Sequence, residues 1–188
     1  MVKYQGLLRQ VKIRNPNEAI MEKNLPSAID RADITRDLDR LLACKSLIIT
    51  TALAYDLPEI GTTPFIRHND CLYIYSSHLS KHTRVLLETK KAHFMLCQDE
   101  CDAQNIWARH RLKFTANLSE IERDDTDFSI ICDKFETAHG PTMGLIRDFT
   151  DFYMLRLEPV SGVLVLGFAK AYEVQGANFD IISHLRSA

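Results

Sequence analysis

From Asp33 onward the hydrophobic positions fall into short alternating or continuous runs, broken by two helical stretches. Ile34, Leu38, Leu41 and Leu42 recur at i, i+4, i+7 and i+8, which predicts one helix stripe with Asp33 as its N-cap. Ser46 to Ala54 is β-branched and apolar and predicts a buried strand. A turn over 56–61, with Pro58 and Gly61, leads into a second strand over 62–68. Asn69-Asp70 reads as a hairpin turn before a third strand over 71–76. A helix is expected from Ser80 to about Lys90, with Val85 and Leu86 inward, then a strand over 92–97. Trp107 to Ile121 reads as one long strand, in which Arg109, Arg111 and Lys113 share a face. Asp124 or Asp125 caps a second helix with Phe128, Ile131, Cys132 and Phe135 inward, ended by Gly140-Pro141. Two last strands are expected, 152–157 and 163–174, joined by a turn over 158–162.

Six or seven antiparallel strands with helices in the connections predict an α+β protein built on a small barrel. Residues 1–30 contain Asn15-Pro16-Asn17 and Pro26 and read as an N-terminal extension; 31–188 form the barrel domain.

Composition narrows the function classes. The chain is 188 residues long, 46% hydrophobic and 26% charged, an ordinary globular balance in one domain. A net charge of -2 offers no general attraction to nucleic acid or an anionic membrane, so any anion site must be local. Five cysteines without a CxxC pair suit reduced thiols in a cytoplasmic protein better than disulfides or a zinc site. The first residues show no apolar secretory core, and the longest apolar stretch is too short to span a bilayer.

Three segments could carry chemistry. Ser76-Ser77-His78-Leu79-Ser80-Lys81-His82-Thr83-Arg84 sits where a strand hands over to a helix N-terminus, a place that suits a phosphate. It also reads as an ordinary capped turn with a solvated basic face. The strand from Trp107 is either a solvated face or a cradle for phosphate or carboxylate, since guanidinium groups match planar oxyanions. The third is Gly167 to Val174 and the tail with His184; a lone terminal histidine by itself reads as a surface residue.

These segments, with Ile121-Glu-Arg-Asp124 and Asp151-Phe-Tyr-Met-Leu-Arg-Leu-Glu-Pro159, occur in the order of the haem-utilisation (HugZ/HutZ) family. The chain from 33 to 185 resembles that branch of the pyridoxamine-phosphate-oxidase-like, FMN-binding split-barrel superfamily. The resemblance implies an antiparallel split β-barrel that forms a homodimer, with ligand clefts at the subunit interface. It implies haem as the ligand, stored or oxidatively opened to release iron. His184 would bind the iron, Asp151 of the other subunit would support that histidine as a catalytic group, and Arg109 and Arg111 would pair with haem propionates. The alternative it implies is an FMN-binding flavoprotein oxidoreductase, with the FMN phosphate held by Ser76, Ser77, Lys81 and Arg111.

Overall fold

A computed structural model describes residues 28–53 and 57–185 of the chain. Most of the N-terminal extension and the turn residues 54–56 lie outside the described residues. The elements are α1 (Ala28–Leu42), β1 (Ser46–Thr51), β2 (Glu59–His68), β3 (Cys71–Ser77), α2 (Lys81–Thr89), β4 (Lys91–Cys97), β5 (Arg111–Ile121), α3 (Thr126–His139), α4 (Thr142–Ile146), β6 (Phe152–Val165), β7 (Ala171–Gln175) and β8 (Asp180–Leu185). All strand pairings are antiparallel, in the order β3-β2-β1-β4-β5-β6-β7-β8, and β3 also pairs with β6. That last pairing closes six strands into a barrel, as the sequence predicts.

Inward side chains from alternate positions fill the barrel, among them Leu47, Ile49, Phe94, Leu96, Leu112, Phe114, Leu155 and Leu157. Ile34, Leu38 and Leu41 of α1 join the same core. A second core lies outside the barrel wall, where Phe128, Ile131, Cys132 and Phe135 of α3 cover Tyr73, Tyr75 and Met154. β3 is therefore covered on both faces, and every residue from Cys71 to Ser76 is buried. The Asn69-Asp70 turn is the expected one: both residues have positive φ (47° and 60°), the geometry of a tight hairpin.

Several expectations are corrected. Helix α1 starts at Ala28, so Asp33 lies within it and pairs with Arg36 (2.9 Å) instead of capping. β2 begins at Glu59, which puts Gly61 in a strand. β5 begins only at Arg111, because Asn105 caps a short turn at Ile106–Ala108 by accepting from the Trp107 N–H (2.9 Å). Arg109 precedes the strand and does not share the Arg111 and Lys113 face.

The expected turn at 158–162 is absent: β6 runs straight through it. Pro159 faces Ala116 where the register slips, and Ser161 faces Thr115, so Val160 is the extra residue of a bulge. At Gly162 a Cβ would lie 2.1 Å from the Lys113 carbonyl oxygen, so only glycine admits this approach of β5 and β6. The Pro and Gly that read as turn residues mark a bulge and a close contact. The real turn is at Gly167 to Ala169, and the tail is an edge strand, β8.

β6 also explains how the barrel is split. Its first half pairs with β3, from Ser77↔Phe152 to Leu72↔Leu157. Its second half pairs with β7, from Ser161↔Gln175 to Val165↔Ala171. β5 lines its other edge throughout.

Candidate functional site

The strand-to-helix turn after β3 is held from several sides. Ser76 is buried and points into the fold, its hydroxyl 2.7 Å from the Thr83 hydroxyl and 3.5 Å from His82 Nε2. Lys81 forms an ion pair with Glu59 of β2. Arg84 reaches back to donate to the carbonyls of His78 (2.8 Å) and Leu79 (3.0 Å). These contacts explain why cations stand in a first helical turn, where the dipole disfavours them. His82 fits against Gly61; burial lowers its pKa, and the charge of Glu59 pulls the other way.

Ser77 faces the other direction. Its hydroxyl donates to Asp151 Oδ2 (2.7 Å) and accepts from the Leu79 N–H (3.1 Å), and the His78 N–H donates to the Asp151 carbonyl (2.7 Å). The His78 and Tyr153 rings lie 5.6 Å apart beside this contact. The loop that carries Asp151 is fixed from behind by Arg123. Its guanidinium donates to the carbonyls of Arg147 (2.7 Å), Phe149 and Phe152 (3.1 Å), and stands 5.2 Å over the Phe128 ring. The Tyr75 hydroxyl donates to the Arg147 carbonyl (2.9 Å) and accepts from Arg123 (3.2 Å). Burial raises the Tyr75 pKa, opposed by Arg123, so the phenol stays a donor. Sequence reasoning missed Arg123 and Tyr75. A lone arginine after a long strand was the available signal, but main-chain acceptors leave no pattern in a sequence.

The second group of expected residues lies elsewhere. Arg109 Nη1 pairs with Glu100 (2.9 Å), and its Nε donates to the Gln98 carbonyl. Arg111 donates to the Arg109 carbonyl (3.0 Å) and shares the outward face of β5 with Lys113. His184 sits in β8 opposite Tyr172, ring on ring at 4.9 Å, with Nε2 2.8 Å from the Ala169 carbonyl oxygen. A carbonyl only accepts, so Nε2 carries a proton here.

Within one chain the two groups stay apart. Ser77 pairs with Phe152, the first residue of β6, while Arg111 pairs with Val165, its last. His184 stands next to Tyr172, which pairs with Leu164. Up to about 40 Å of extended strand separates Phe152 from Leu164. Ser77 and Asp151 therefore meet at one end of β6, Arg109, Arg111 and His184 lie towards the other, and Lys81 is turned to Glu59 of β2. Ser76, Ser77, Lys81 and Arg111 do not converge on one phosphate in a single chain. Among the described residues no group of three or more His, Cys, Asp or Glu side chains is arranged to hold a metal ion. No described helix is long and apolar enough to cross a membrane.

No protein-family model matches the chain. It is 30% identical over 141 residues to heme oxygenase HutZ of Vibrio cholerae serotype O1, covering 75% of this chain and 80% of that protein. The crystal structure of Campylobacter jejuni ChuZ superposes with a TM-score of 0.72 at 28% identity. That match covers 82% of this chain and 63% of ChuZ, so the chain spans less than two thirds of ChuZ. The crystal structure of HutZ from Vibrio cholerae, described as a heme storage protein, superposes with a TM-score of 0.66 at 24% identity. It covers 77% of this chain and 98% of that one and shares the fold. The 141-residue alignment with HutZ, covering most of both chains, places this chain, whose own strands close into a barrel, in the HutZ family of split-barrel proteins.

Proposed function

We propose that this protein binds haem for haem utilisation, in a cleft that two copies of the chain build together. The observation that carries the reading is the 141-residue likeness to a protein named for acting on haem. The geometry supports it in three ways. Asp151 is a carboxylate held in a fixed orientation at the surface of a rigid turn. Arg111 and Lys113 stand together on an outward face, where guanidinium and ammonium groups suit the carboxylates of haem. The two groups lie at opposite ends of β6, so a site that uses both needs a second copy of the chain.

Haem bound there supplies an iron centre that activates oxygen, and the oxidative opening of the ring with release of iron is the enzymatic form of this proposal. The chain's own part is to anchor and orient. Arg111 holds propionate groups, with Arg109 fixing the loop beside it. Asp151 of the second copy accepts a hydrogen bond from the imidazole on the iron and keeps that ring neutral and oriented. His184 is the candidate iron ligand, and ligation through Nε2 requires release of the Ala169 carbonyl. All five thiols are unpaired, which supports a reducing compartment such as the cytoplasm.

Titration of the purified protein with hemin, followed in the Soret region, tests the reading. A displaced, saturating band is expected, altered by His184→Ala if His184 binds the iron. An unchanged hemin spectrum overturns haem binding. Bound flavin in the purified protein, lost in Lys81→Ala, would instead establish the FMN reading.

A further inference from the structure

We propose that Ser77 is a positioning residue: it engages one oxygen of Asp151 and thereby presents the other to an imidazole N–H from a second copy of the chain. This rests on the haem reading above. The direction of the Ser77 proton is fixed by its neighbours. Its oxygen accepts the Leu79 N–H (3.1 Å), so the hydroxyl hydrogen is left to donate to Asp151 Oδ2 at 2.7 Å, a short charge-assisted bond. The Asp151 backbone is pinned on both flanks. Its carbonyl takes the His78 N–H (2.7 Å), and Arg123 holds the carbonyls of Phe149 and Phe152 on either side. With backbone and Oδ2 both engaged, the carboxylate has one orientation. Oδ1 makes no hydrogen bond to any described residue, while an ionised carboxylate can accept at both oxygens.

Oδ1 is thus a fixed acceptor without a donor, on a half-buried side chain beside the His78 and Tyr153 rings. His184 of the same chain stands at the far end of β6, so the donor that meets Oδ1 comes from another copy. The match in chemistry is an imidazole whose second nitrogen faces a metal, because a carboxylate behind it selects the tautomer and raises ligand basicity. Ser77 acts on haem only through Asp151.

Ser77→Ala and Ser77→Thr, compared with the unaltered protein, test the proposal. The readouts are thermal melting, the Asp151 side-chain carboxyl ¹³C resonance without haem, and hemin binding with the iron–imidazole stretching frequency. Ser77→Ala should move the Asp151 resonance, weaken hemin binding about tenfold and lower the stretching frequency, while Ser77→Thr, which keeps the hydroxyl, restores all three. An Asp151 resonance unmoved by Ser77→Ala overturns the proposal. So does a moved resonance with hemin affinity and frequency unchanged. Equal loss in both variants, in step with melting, marks a purely structural serine and also overturns it. If the unaltered protein binds no hemin, the haem reading fails on its own. The resonance then still decides whether Ser77 orients Asp151.

Discussion

The His82 ring occupies the space that a side chain at Gly61 would fill: a Cβ there would lie 2.5 Å from the imidazole. The absence of a side chain on β2 thus lets the first turn of α2 pack against the barrel. Gly61→Ala should cost about 1–3 kcal/mol through overpacking, measured by chemical denaturation. The double variant Gly61→Ala, His82→Ala should recover most of that loss. If the two losses simply add, the packing relationship is wrong.

The same packing gives His82 a pH dependence. Burial holds its folded pKa below the ordinary 6.5, so the neutral form is the one the fold favours. The contribution to stability is fully present above the unfolded pKa and is lost as pH falls through the folded value. Glu59 and Lys81 face this part of α2, and Glu59 partly offsets the effect. Melting temperatures between pH 7.5 and 5 should fall less steeply for His82→Gln than for the unaltered protein. Equal slopes would count against the assignment.

At Gly162 the conflict is with backbone, which cannot turn aside. A Cβ 2.1 Å from the Lys113 carbonyl and 2.3 Å from the Phe114 ring forces β5 and β6 apart. Gly162→Ala should lose at least about 3 kcal/mol, with circular dichroism showing a lowered melting point. A stable Gly162→Ala protein would show that the β6 bulge is placed wrongly.

Arg123 holds the Asp151 loop through main-chain carbonyls, so its removal should act on position before stability. Arg123→Met keeps the aliphatic stem and should cost only about 1–2 kcal/mol, since the side chain is largely exposed. Hemin binding should weaken more than that loss predicts, because Asp151 is no longer pinned. Unchanged affinity would separate the loop from the site.

Strands were legible where chemistry and geometry agree. The β-branched run of β1, the Asn69-Asp70 turn and the Phe128, Ile131, Cys132, Phe135 stripe of α3 all follow from local preference. Prediction failed where a residue had a tertiary reason to be present. Pro159 and Gly162 signal a turn, yet they serve a bulge and a close strand approach. Arg109 fits the alternation of a basic strand, but Asn105 folds the chain into a turn first and Glu100 takes the guanidinium. α4 is five residues long, too short to show helical periodicity. Of the site, the sequence singled out Ser77 and Asp151, which do meet at one end of β6, and Lys81, which turns instead to Glu59 of β2. It could not tell that Arg111 and His184 meet the other end, since that depends on which half of β6 each neighbour pairs with.

The last hairpin is joined to the ring of six strands by a single ladder along the second half of β6, yet it sends Tyr172, Val174 and Phe179 into the interior. Phe179 meets Phe114 edge-on at 4.7 Å. The hairpin therefore works as a stopper: the ring can close without it, but its interior stays dry only while the stopper is seated. Lifting it would wet Phe114 with every bond between the six strands intact.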